Sequence, residues 1–144
     1  MAATVTGMTK PPLAAVPVRT AEQLTQRWEQ LLDPPVFAAR SLWLTWLDDG
    51  VMLPYVIPVD DVPAVPDRPL LANLAEVCEM MVESHCLGAP HVAMALCRPG
   101  RVRVARDDEA WERGLGEAFL GTGRTWSLHL AAGGSVVPMV DLPE

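Results

Sequence analysis

Apolar and polar positions along this chain follow two periods in turn, and each switch marks an element. Leu24, Trp28, Leu31 and Leu32 recur at helical spacing, so one face of a helix is apolar. Thr20-Ala21-Glu22-Gln23 before them forms a capping box, in which the Thr hydroxyl accepts from the third amide and the Gln side chain reaches back. Asp33-Pro34-Pro35 ends that helix, because proline has no donor and clashes with the preceding turn. "SLWLTWLDDG", 41–50, is apolar on both faces and reads as a buried strand. "VMLPYVIPVD", 51–60, reads as a second strand, joined to the first by a hairpin at Asp48-Asp49-Gly50. Its prolines, Pro54 and Pro58, put it at an edge or a bulge.

The helical period returns at Leu70, Leu71, Leu74, Val77, Cys78, Met81 and Val82. Asp67 is placed to cap this helix, Pro69 lies in its first turn, and Gly88 and Pro90 stop it. His91 to Cys97 is a third strand. Asp107 or Asp108 is expected to cap a helix with Trp111, Leu115, Ala118 and Phe119 on its apolar face, ended by Gly121. "RTWSLHL", 124–130, and "SVVPMV", 135–140, form a closing hairpin at Gly133-Gly134. The order α-β-β-α-β-α-β-β predicts an α/β fold, a three-layer α/β/α sandwich with a mixed sheet of about five strands, preceded by an N-terminal helix.

Size and composition narrow this picture. The 144 residues suit one domain, assigned to 19–144, with 1–18 as a disordered N-terminal tail broken by prolines. Half the residues are hydrophobic, enough for a core without a metal or disulfide staple. The net charge of −7 opposes binding to a nucleic-acid backbone. No apolar run approaches a membrane span. Cys78, Cys86 and Cys97 are odd in number and lack CxxC spacing, which points to reduced thiols in the cytoplasm. Abundant Ala, Val, Arg, Pro and Trp fit a GC-rich bacterial gene.

Candidate chemistry gathers in "HVAMALCRPGRVRVARDDEAW", 91–111. Cys97, Arg98 and Asp108 sit where a strand ends and a helix begins, the edge at which open α/β sheets bind ligands. Helix amides there, with Arg98, Arg101 and Arg106, would suit an anionic small molecule. The acids Asp107, Asp108 and Glu109 oppose that reading. Arg101 and Arg103 alternate with Val102 and Val104, as on a solvated extended edge. Cys97 as a nucleophile would take His129 as its base, since the fourth strand can lie beside the third. The bland reading is a buried structural thiol. His85, Cys86, His91 and Cys97 match no zinc spacing, so no metal or other cofactor is expected. Trp28, Trp43 and Trp111 belong to apolar faces, and Trp46 or Trp126 is a candidate exposed anchor for a partner.

The element order and these local patterns resemble the RadC-like branch of the JAB/JAMM metalloprotein superfamily, over about 41–140. That resemblance implies a deaminase-like fold in which a strand runs into His-x-His-Pro-x-Gly, followed by a Ser-x-x-Asp helix opening. "MALCRPG", 94–100, stands at the histidine motif, "ARDDEAW", 105–111, at the helix opening, and "WSLHLAAGGSVVPMV", 126–140, at the closing hairpin. The departures fall on the zinc ligands. Ala95 and Cys97, or Leu96 and Arg98 in the other register, replace the two histidines; Ala105 replaces the Ser; and Leu128 precedes His129 where the family has Asp. The chain also resembles small proteins of high-GC actinobacteria. The resulting expectation is a non-catalytic cytoplasmic protein of degenerate JAB/RadC-like fold that binds a protein partner or small ligand. The alternatives are a metal- or thiol-dependent hydrolase or deaminase-like enzyme built on Cys97, Asp108 and His129, and a homodimer joined through strand edges.

Overall fold

A computed structural model describes residues 17–53, 55–85 and 90–143. Helix α1 spans Ala21–Leu31 and opens with the expected capping box at Thr20. Gln23 N donates to Thr20 Oγ1 at 3.1 Å, and Gln23 Oε1 accepts from Thr20 N at 3.2 Å. Strand β1 is Ser41–Asp48. The predicted second strand is two pieces, β2 at Val51–Met52 and β3 at Ile57–Asp60, both paired antiparallel with β1. β2 ends at Met52 and β3 begins at Ile57, and Pro54 lies outside the described residues. The Asp49-Gly50 turn has positive φ at both residues, 51° and 79°, the twist a tight hairpin needs.

Helix α2, Arg68–Ser84, is capped by Asp67, whose Oδ1 accepts from Leu70 N at 2.9 Å, with Pro69 in its first turn. Its expected terminator Gly88, and Cys86, lie outside the described residues. Strand β4 is His91–Cys97 and α3 is Arg106–Leu120, with Gly121 at its C-cap. Strands β5, Trp126–Ala132, and β6, Ser135–Val140, close on the Gly133-Gly134 turn.

The six described strands form one mixed sheet in the order β2-β1-β4-β5-β6, with β3 beside β2 along the same edge of β1. β1 runs antiparallel to β4, β4 parallel to β5, and β5 antiparallel to β6. The fold is therefore mixed α/β, as the pattern predicts. Side chains on a strand alternate between faces, and this alternation builds two cores. Leu42, Leu44 and Trp46 of β1 and Val92, Met94 and Leu96 of β4 pack with Leu74, Cys78 and Val82 of α2 and Trp111, Leu115 and Phe119 of α3. The intervening Leu47, Ala93, Ala95, Cys97 and Ala131 pack with Leu24 and Trp28 of α1. The alanines on this second face leave room for the Trp28 ring, which is wholly buried.

Some expectations are corrected. Val18 belongs to the fold rather than to a tail: it is buried, and its amide donates to Gly50 O at 2.7 Å. Trp46 is no exposed anchor but sits in the core with no exposure, while Trp126 is partly buried. Among the described residues, no helix is long and apolar enough to cross a membrane.

Candidate functional site

The stretch between β4 and α3 is organised by one side chain. Arg98 leaves the end of β4 and turns back under its own loop, buried. Its Nε donates to Asp108 Oδ1 and its Nη2 to Asp108 Oδ2, each at 2.8 Å. Nη1 donates to Pro99 O at 2.9 Å and Arg101 O at 3.0 Å, and Nη2 donates again to Arg103 O at 2.8 Å. A guanidinium has five N–H donors, and all five are used within eleven residues of chain. Arg98 therefore has nothing left for an anion. The expectation that it binds a ligand is replaced by a structural role. The two parallel N–H···O bonds are the strong bidentate form of the Arg–carboxylate pair.

Asp108 has no exposure, yet it is well paired. Burial pushes its carboxyl up; the bonds from Arg98, the Ala105 amide and the nearby charges of Arg98 and Arg40 outweigh this and hold it below its ordinary value. The Ala105 amide donates to Asp108 Oδ2 at 2.8 Å. So neither Asp107 nor Asp108 is the N-cap of α3. Ala105 holds that position, and Asp108 serves from the third helical residue, as the reaching-back half of a capping box. Val102 to Ala105 is not a strand but a bent loop drawn around the guanidinium. Arg101 and Arg106 are exposed on either side of it.

Cys97 lies wholly buried opposite Ser41 on one side and Ala131 on the other. Burial pushes its thiol up to about 12, against a smaller lowering by a hydrogen bond with Ser41. A thiol so raised carries almost no thiolate at neutral pH. His129 is on β5 opposite Ala95 rather than Cys97, and its Nε2 lies 2.8 Å from Thr25 Oγ1 of α1. Burial lowers its pKa to about 4, with Asp141 opposing. The Thr25 hydroxyl also reaches Ala21 O at 3.2 Å. The proposed base is thus neutral, buried and committed to α1, and Cys97 has no activating partner in the positions sequence reasoning assigned. The structural thiol is the reading its surroundings support.

The other candidates scatter. His91 is buried at the start of β4, with Nδ1 2.8 Å from Thr125 Oγ1 and Nε2 2.9 Å from Ser127 Oγ. His85 is the exposed C-cap of α2, its ring 5.0 Å from that of Tyr55. Among the described residues, no three His, Cys, Asp or Glu side chains come together as a metal ion would require. Sequence reasoning overlooked Arg40. It sits just before β1, close enough for its charge to act on Asp108, with Nη1 buried and without a hydrogen-bond partner. A lone arginine between Ala39 and Ser41 carries no motif. Only the pairing of β1 with β4 reveals its position.

No family model matches this chain, and no curated protein matches it.

Proposed function

We propose that the chain is a non-catalytic cytoplasmic protein with a degenerate JAB/RadC-like, three-layer fold, which acts by binding a protein partner or a small ligand. Support for the family reading comes from the element order, with β2 and β3 as one interrupted strand, and from the short motifs of the crossover. The observation that carries the non-catalytic reading is the Arg98–Asp108 pair. Where the resemblance implies zinc, at the end of β4 and the start of α3, a guanidinium already neutralises the carboxylate and uses every donor it has. A cation bound at Asp108 would have to displace that buried positive charge, and catalytic zinc wants three protein ligands besides. The raised thiol of Cys97 weighs against covalent chemistry at the same edge. Both outer strands carry a proline, Pro58 and Pro138, which weighs against assembly by strand pairing.

Elemental mass spectrometry of tag-free protein, purified under reducing conditions without chelator, tests this reading. Metal well below one equivalent is the expected result. Stoichiometric zinc that disappears in Asp108→Ala would sink it.

A further inference from the structure

On the α1 side of the sheet, one buried ring is only half satisfied. His129 has no exposure, and the β5–β6 register shifts between Leu128 and His129. Its Nε2 lies 2.8 Å from Thr25 Oγ1, and that hydroxyl donates to Ala21 O at 3.2 Å. A hydroxyl has one proton to give. With that proton on Ala21 O, Thr25 Oγ1 accepts from His129 Nε2–H, and the other nitrogen, Nδ1, is left as a bare acceptor. Nδ1 is buried and has no hydrogen-bond partner among the described residues.

A second proton on this ring must go to Nδ1. It would create a buried cation whose new N–H meets no acceptor, a costly state in an apolar interior. The charged groups nearby do not remove that cost. Asp141, just after β6, favours the charged form, but it is exposed and burial outweighs it. On α1, Arg27 donates to Met52 Sδ at 3.5 Å, and Glu22 and Glu29 are exposed. β4 and β6 set Ala95 and Pro138 beside His129. His91 differs. Both its nitrogens face hydroxyls, Thr125 and Ser127, and a hydroxyl oxygen can accept as well as donate, so a charged His91 keeps both bonds in place.

Relief for a charged His129 requires one element to move. β5 is hydrogen-bonded to β4 on one side and β6 on the other. α1 shares no strand ladder with the sheet and covers the ring through side chains, with Ala93, Ala95 and Ala131 in the apolar face beneath it. We propose that α1 is an acid-released cover: protonation of His129 frees the helix and uncovers that face, while the rest of the fold stays closed. The device goes beyond the binding reading above and does not rest on it.

Amide hydrogen exchange of the full chain, read by mass spectrometry as protection factors at pH 7 and pH 4, tests this. The covered ring takes up a proton at about 4 and a free one at 6.5. The α1 amides should therefore lose protection roughly a hundredfold from pH 7 to pH 4, while those of β4 keep theirs. His129→Gln and His129→Leu cannot take up the proton, and each should remove the pH-dependent loss; His91→Gln should leave it. Circular dichroism at pH 7 checks the fold of each variant. Protection lost in α1 and β4 together, an α1 unchanged by pH, a loss that persists in a folded His129 variant, or one that vanishes in His91→Gln would each overturn the proposal.

Discussion

At the scale of single residues, the buried Arg98–Asp108 pair makes the sharpest demand. Removing one partner strands the other's charge in the interior. Arg98→Ala should therefore lower stability by roughly 3–5 kcal/mol in urea unfolding, and the double change Arg98→Met, Asp108→Leu should cost less than the sum of the single changes. Additive losses would show that the two side chains act separately. Cys97 gives a second test. Its thiol, raised to about 12 by burial, should be alkylated by iodoacetamide more slowly than free cysteine until the protein unfolds. Peptide mapping by mass spectrometry follows position 97 alone. The sequence shows that Cys97, Arg98 and Asp108 meet at a strand-to-helix crossover, because that follows from local periods. It does not show that Arg98 turns inward, since ten residues separate it from Asp108 and no spacing rule joins an exit arginine to the third residue of the next helix. His129 misleads for a related reason. The parallel register sets it opposite Ala95, and the element covering it is α1, more than a hundred residues earlier.

At the scale of elements, the hairpin between β5 and β6 is locked to the β4–α3 loop. A Cβ on Gly133 would lie 2.9 Å from the carbonyl oxygen of Gly100, whereas one on Gly134 meets nothing within 4 Å. Both have positive φ. Gly133→Ala should thus cost about 1–3 kcal/mol more than Gly134→Ala, the range for forced overpacking. Equal losses in thermal unfolding would mean that backbone conformation alone sets the cost. Elements ruled by nearest neighbours were legible beforehand: the Thr20 box, the Asp67 cap, both tight hairpins and all seven residues of β4. The interruption between β2 and β3 was only half legible. Pro54 and Pro58 signal an edge, but which residues leave the ladder depends on β1. The start of α3 was misread because Asp107 and Asp108 are both good caps. The buried guanidinium draws Asp108 one turn inward, and the cap position falls to Ala105.

At the scale of the whole molecule, the two cores respond differently to acid. The α1 side holds two buried imidazoles, His91 and His129, both lowered by burial to about 4 from an ordinary 6.5. The folded values lie below the unfolded one, so the unfolded chain takes up more protons between them. Their contribution is complete above about pH 6.5 and is lost as pH falls toward 4, on the order of 3 kcal/mol for each histidine. His129→Gln should flatten the pH dependence of stability in that window, and an unchanged slope would place the acid sensitivity elsewhere. Asp108, held low by Arg98, adds a loss at more acidic pH through its own titration. The mixed sheet and its helix order follow from the chain's periodicity; the pairing of Ser41 with Asp60 beside Arg40 does not, because the two segments are about twenty residues apart and only the β1–β3 register brings them face to face. That sheet has a further consequence. One margin is a strand broken in two with Pro58 in its second piece, and the other is β6 with Pro138. A fibril grows by adding backbone to an uninterrupted row of donors and acceptors. Neither margin offers such a row, so edge-to-edge growth of the folded sheet is opposed at both margins of a chain that is half hydrophobic by composition.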